Sequence, residues 1–222
     1  VYSASPELFF ECADGQITCR PMKGTAARGA TLAEDARLKA ELAACAKNRA
    51  ENLMITDLMR NDLGRIARPG TVQVPQLFTV ESYPSLFQMT STVTAQTRAG
   101  LVEIMQALFP CGSITGAPKI RAMQILDELE AAPRGLYTGT LGWFAPNGDF
   151  RLNVAIRTLL IDTAGHGRMG IGSGVVHDSV DTDEWAECWL KARFLSGLAD
   201  EPGVSSSLAK TPPGSLRDRL PH

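Results

Sequence analysis

The chain has 222 residues, 44% hydrophobic and 21% charged, an ordinary globular composition with enough length to bury one substantial core. Its 22 basic and 24 acidic residues leave a formal charge of -2, which disfavours a nucleic-acid surface, and the five scattered cysteines (Cys12, Cys19, Cys45, Cys111, Cys188) form no C-x-x-C pair that would suggest a disulfide framework or structural zinc. No apolar run approaches the roughly 20 residues needed to span a bilayer, and the first residues lack a secretory pattern, so the expectation is a cytoplasmic protein without membrane or nucleic-acid partners.

In chain order, VYSASPELFFECADGQITCR reads as a β-hairpin turning at Asp14-Gly15. A Gly- and Pro-punctuated loop, PMKGTAARGA, follows. Thr31 with Glu34 gives a capping-box signature for a helix through about Lys47, with Leu32, Ala36, Leu38 and Leu42 as its buried face. Recurrence of Leu53, Met54, Asp57, Leu58 and Asn61 predicts a second helix from Arg49 to Asp62, closed at Gly64. VQVPQLFTVESYP and LFQMTSTVTAQT alternate like strands, LVEIMQALF like a helix, and KIRAMQILDELE like a helix entered through Pro118. YTGTLGWFA, DFRLNVAIRTLLID and RMGIGSGVV predict three strands, and Asp181 to about Leu198 a closing helix. Strands interspersed with helices in this way predict an α+β domain over residues 1-199, and the Pro-, Ser- and Gly-rich residues 200-222 predict a flexible tail or linker.

Several residues invite chemistry, each with a plainer reading beside it. Glu7 lies against Leu8-Phe9-Phe10, Glu51 beside Leu53-Met54-Ile55, and Glu184 with Glu187 share one helical face. Carboxylates near a core need a partner, a proton or a cation; solvated or salt-bridged glutamates are the alternative. Oxygen ligands from separate helices would suit Mg2+. GSITGAPK leaves backbone N–H groups free before a helix, as an anion site or a simple capping turn, and it does not satisfy the Walker pattern. Gly170, Gly172 and Gly174 in GIGSGVV allow either a tight turn or a close backbone approach to a ligand. Lys23 is either a surface cation or, if buried among cations, a nucleophile. Arg157 interrupts an apolar strand either as an inward carboxylate binder or as an edge residue.

Taken together and in order, SPELFF, PMKGTAARG, AENLMITDLMRNDLG, GSITGAPK, AIRTLL and GIGSGVVHDSVDTDEWAECWLKA resemble the motifs of the chorismate-utilising enzymes, from about Ser3 to Leu198. That family includes anthranilate, aminodeoxychorismate, isochorismate and salicylate synthases. The resemblance implies antiparallel sheets packed face to face and flanked by helices. It implies Mg2+ held by Glu51 and Glu187 with Glu184 behind them, and Glu7 as general acid. Thr115, Tyr137, Arg157, Gly172, Gly174 and Lys191 match positions around the two carboxylates of chorismate.

Lys23 resembles the lysine that, within this family, marks the aminodeoxychorismate synthases, where the others carry a small residue. That implies a covalent Lys23 intermediate, ammonia delivered by a glutamine amidotransferase subunit, and 4-amino-4-deoxychorismate as product in p-aminobenzoate and folate synthesis. Two features depart from the family pattern. Gln88 stands where many members have histidine, and 222 residues is about half the usual length, as in an incomplete copy lacking the N-terminal half. Anthranilate or isochorismate synthesis, and a non-catalytic remnant that only binds chorismate or the amidotransferase, are the rival readings.

Overall fold

A short strand, β1 (Tyr2–Ser3), leads into the predicted hairpin of β2 (Leu8–Ala13) and β3 (Gln16–Cys19). Asp14 and Gly15 both have positive φ, 51° and 73°, as a two-residue turn matched to the strand twist requires. A bulge between Leu8 and Phe10 breaks the alternation of β2, so that Phe9 and Phe10 both enter the core, edge to face with ring centroids 4.6 Å apart. The computed structural model describes residues 1–84, 86–177 and 179–199, without the side chains of 190 and 193–199. The tail expected over 200–222 lies outside the described residues.

PMKGTAARGA is a strand rather than the expected loop. β4 (Met22–Ala27) pairs with β6, and its punctuation marks a bulge between Met22 and Thr25, where Gly24 has φ 93°. Glycine punctuates a bulged strand as readily as a loop, which is why the composition misleads. Helix α1 (Leu32–Ala44) is capped by Thr31, whose side chain accepts from the Glu34 N–H at 3.2 Å, while the Glu34 carboxylate takes the Ala30 N–H at 2.9 Å. Of its expected buried face only Leu42 is buried, and Leu32 is 91% exposed.

Helix α2 (Ala46–Gly64) buries Asn52, Ile55, Thr56, Met59, Asp62 and Leu63, while Leu53 and Met54 are exposed. Its polar core positions are partly satisfied: Asn52 Oδ1 accepts from Ser91 Oγ at 2.5 Å, and Asp62 pairs with Lys119 Nζ at 2.5 Å.

The larger sheet is organised on β6 (Leu86–Gln96). One flank pairs with β5 (Gln73–Ser82), and the other with β4 over Leu86 to Thr90 and with β3 over Val93 to Gln96. The sheet continues from β3 through β2 and β8 (Phe150–Val154) to an edge at β7 (Thr140–Phe144), where Trp143 and Phe144 are exposed. The strand expected across DFRLNVAIRTLLID is two. Arg157, with φ 47°, separates β8 from β9 (Thr158–Ile161), which pairs with β1 and with β10 (Gly167–Met169) in a second antiparallel sheet. GIGSGVV, expected as strand, is irregular beyond Met169.

Helices α3 (Leu101–Leu108), α4 (Gly112–Thr115), α5 (Lys119–Leu129) and α6 (Asp181–Ala199) complete the α+β fold. Phe9, Phe10, Ile17, Ile55, Met59, Leu63, Val93, Ile104, Leu108, Phe150 and Leu152 form its main core, between the sheet and helices α2 and α3. Among the described residues no helix is long and apolar enough to cross a membrane.

Candidate functional site

Glu7 precedes β2 where the bulged strand enters the core, and it is buried. Its Oε1 accepts from Ser113 Oγ at 2.6 Å, across 106 residues of sequence. Burial pushes its carboxyl above the ordinary value of 4.5; the Ser113 hydrogen bond and the charges of Lys23, Arg157 and Lys191 pull the other way without offsetting it. The charges of Lys23 on β4, Arg157 between β8 and β9, and Lys191 on α6 therefore all act on one buried carboxyl.

Lys23 extends from the bulge of β4, and its Nζ stands 3.7 Å from where a β-carbon on Gly174 would lie. The bulge is braced from β6 by Gln88, whose Nε2 donates to the Gly24 carbonyl at 2.9 Å and whose Oε1 accepts from Thr25 Oγ1 at 3.0 Å. The residue that departs from the family pattern is thus the clamp on the strand that presents Lys23. Gly24 is required twice over, by its φ of 93° and by Asn48, whose Cβ would lie 2.9 Å from a β-carbon there.

The Gly-rich segment runs against Tyr137. A β-carbon on Gly170 would lie 2.3 Å from Tyr137 Cγ, so the backbone there closely approaches a phenol ring of the chain itself. Burial raises the Tyr137 phenol above its ordinary value. Lys191, on α6, donates to the Gly172 carbonyl at 2.9 Å and pairs with Glu187 at 2.6 Å, tying that helix to the loop. The structure thus gathers Glu7, Lys23, Tyr137, Arg157, Gly172, Gly174, Glu187 and Lys191 in one region. Thr115 ends the four-residue α4, its hydroxyl 3.3 Å from the Cys111 carbonyl.

The acidic trio is less convergent. Glu51 is half-buried on α2. Glu184 accepts from Ser179 Oγ at 2.5 Å, and its Oε2 is buried without a hydrogen bond of ordinary geometry. The neighbouring Ser173 and Ser179 hydroxyls hold its carboxyl below the usual carboxylate range. Among the described residues no three acidic, histidine or cysteine side chains form a ready ligand cluster. The donor set nonetheless fits a hard divalent cation that takes one or two carboxylates and fills its shell with water and ligand oxygens, and the bare Glu184 Oε2 is in keeping with it.

Ser113 went unmarked in the sequence. A serine in GSITGAPK reads as a turn former, and only the fold brings it to Glu7.

The family model for chorismate binding enzymes matches residues 1–197. Aminodeoxychorismate synthase component 1 of Klebsiella aerogenes is 47% identical over 197 residues, covering 88% of this chain and 44% of its own length. Anthranilate synthase component 1 of Methanothermobacter thermautotrophicus is 43% identical over 194 residues, covering 86% and 42%. The crystal structure of anthranilate synthase component I from Streptococcus pneumoniae superposes with a TM-score of 0.77 at 34% identity, covering 86% of this chain and 42% of that one. The chain therefore spans under half the length of these relatives.

Proposed function

Because the chain belongs to the family of chorismate binding enzymes, we propose that it carries the catalytic part of an aminodeoxychorismate synthase component 1. The observation that carries the proposal is the buried carboxyl of Glu7, close enough to Lys23 to feel its charge, with Lys23 Nζ beside the Gly174 backbone. Overall identity does not separate amination at C4 from anthranilate formation, since relatives of both kinds lie within a few per cent of each other. Lys23 favours amination at C4, because an amine at that position can serve as the nucleophile of a covalent route.

In this mechanism the Lys23 amine attacks C2 of chorismate and gives up a proton, both ring double bonds shift so that the second reaches C4, and the C4 hydroxyl departs as water with the proton of Glu7. Ammonia then adds at C4 and loses a proton, both double bonds return, and the Lys23 amine leaves C2 protonated, giving 4-amino-4-deoxychorismate. Arg157, Lys191 and the amides near Thr115, Gly172 and Gly174 hold the two carboxylates, and Tyr137 borders the site. Mg2+, when bound through Glu51 and Glu187 with Glu184 behind, would neutralise a substrate carboxylate. Ammonia would come from a glutamine amidotransferase subunit, in keeping with relatives named component 1.

The test is to incubate the chain with chorismate, Mg2+ and an ammonium salt and to identify the product by mass. Without ammonium, intact-mass analysis should find chorismate less one water added at Lys23. Lys23→Ala should remove the adduct and slow amination by on the order of 10³ or more, as the loss of a nucleophile does. Release of anthranilate and pyruvate instead would favour the second reading, and full activity of Lys23→Ala would end the covalent role.

A further inference from the structure

Glu7 has two oxygens, and only one can carry the proton that the mechanism needs. Its Oε1 lies 2.6 Å from Ser113 Oγ, and Ser113 Oγ lies 3.1 Å from Cys111 Sγ. The three groups form a short buried chain, and its hydrogens have one favourable order. Cys111 is buried, and burial pushes its thiol up to about 12, so it keeps its hydrogen and offers it to the serine oxygen. The serine proton is then free for one acceptor, Glu7 Oε1. The reverse order would have Glu7 donate from Oε1 and would leave the serine hydrogen against sulfur, a weak acceptor.

We propose that Ser113 is a positioning residue for the acid: by donating to Glu7 Oε1 it confines the transferable proton to Oε2 and stabilises the ionised carboxylate left after transfer. This rests on Glu7 being the general acid proposed above. The charged or titratable groups facing that carboxyl are Lys23 on β4, Arg157 between β8 and β9, Lys191 on α6, and Cys111 before α4. Among the described residues Ser113 is the one whose side chain donates a hydrogen bond to it. Removing that donor therefore acts on the ionised form specifically.

The experiment labels the chain with carboxyl-¹³C glutamate and assigns the Glu7 resonance by its absence in Glu7→Gln. In Ser113→Ala the Glu7 carboxyl should titrate about one pH unit higher than in the wild type, the shift expected from losing one hydrogen bond to a charged group. Ser113→Thr, which keeps the hydroxyl, should stay at the wild-type position. If alanine disturbs folding, Ser113→Cys supplies nearly the same shape with a poor donor and should give the same upward shift. The alkaline limb of kcat/KM for chorismate consumption should move with the resonance. Identical titration in wild type, Ser113→Ala and Ser113→Cys, or a shift in Ser113→Thr equal to that in Ser113→Ala, would overturn the proposal. A resonance that moves as expected in a chain yielding no 4-amino product would uphold the role of Ser113 and refute the function proposed for the site.

Discussion

Gly172 and Tyr137 are packed so closely that a β-carbon on the glycine would stand 2.7 Å from the phenol oxygen. Gly174, two residues on, has room: its β-carbon would lie 3.7 Å from Lys23 Nζ, an ordinary contact. Gly172→Ala should therefore displace the Tyr137 ring and weaken chorismate binding by about tenfold, roughly 1.4 kcal/mol. Gly174→Ala should bind within about twofold of wild type. Calorimetric titration of chorismate into the two variants would check the contrast, and equal affinities would contradict it.

Gln88 links two strands at the point where β4 departs from regular pairing. Its amide satisfies the Gly24 carbonyl and the Thr25 hydroxyl together. Gln88→Ala removes both bonds and should lower stability by about 1–2 kcal/mol, with slower formation of the Lys23 adduct as the bulge loosens. Gln88→His can replace one bond but not both, so it should fall between. Denaturant midpoints and adduct time courses measured on the same samples would show whether stability and trapping decline together.

The buried Glu7 carboxyl makes stability depend on pH in a definite direction. Its folded value is raised above 4.5, so between 4.5 and that value the unfolded chain holds fewer protons than the folded one. Stability from this group is therefore intact below about pH 4 and is lost as pH rises, the reverse of a salt-bridged carboxylate. Glu7→Gln, which cannot ionise, should melt close to wild type at pH 4 and at a higher temperature at pH 7 to 8. Melting curves at both pH values would test it, and a variant less stable than wild type at pH 7 would contradict it.

Lys119 and Asp62 form a largely enclosed ion pair, side chains 14% and 7% exposed, and Lys119 also donates to the Leu108 carbonyl at 3.1 Å. Helix α5 buries no residue of its own, so this lysine at its first turn is a principal tie to α2 and α3. Lys119→Met should cost about 3–5 kcal/mol by stranding the Asp62 charge, and adding Asp62→Leu should restore a large part of it. Urea unfolding of the single and double variants would measure the difference.

Much of the architecture could be read from residue order because local chemistry decided it. The Asp14-Gly15 turn, the Thr31 cap and the β-forming residues of β5 and β6 are local signals, and the fold obeys them. Where the reading failed, a distant contact had decided. Gly24 suggested a loop, yet Gln88, 64 residues away, holds it in a bulged strand. Arg157 breaks a strand with no Gly or Pro to announce it, because the chain leaves one sheet for another there. On α2 the apolar Leu53 and Met54 face outward, while the inner face carries Asn52 and Asp62, whose partners lie on β6 and α5, and Thr56, whose hydroxyl donates to the Asn52 carbonyl one turn back. For the candidate site, residue types and motif order marked Glu7 and Lys23, but Ser113 could be found only through a contact spanning 106 residues.

Strand β6 is hydrogen-bonded along both flanks to strands that all precede it, from Gln16 to Ser82. During synthesis those earlier strands must wait for residue 96 to emerge before they can join, several seconds at about 5–20 residues per second. Through that interval β3, β4 and β5 have no common neighbour, so translation speed and chaperone capture near that point should govern how much of the chain reaches its native form.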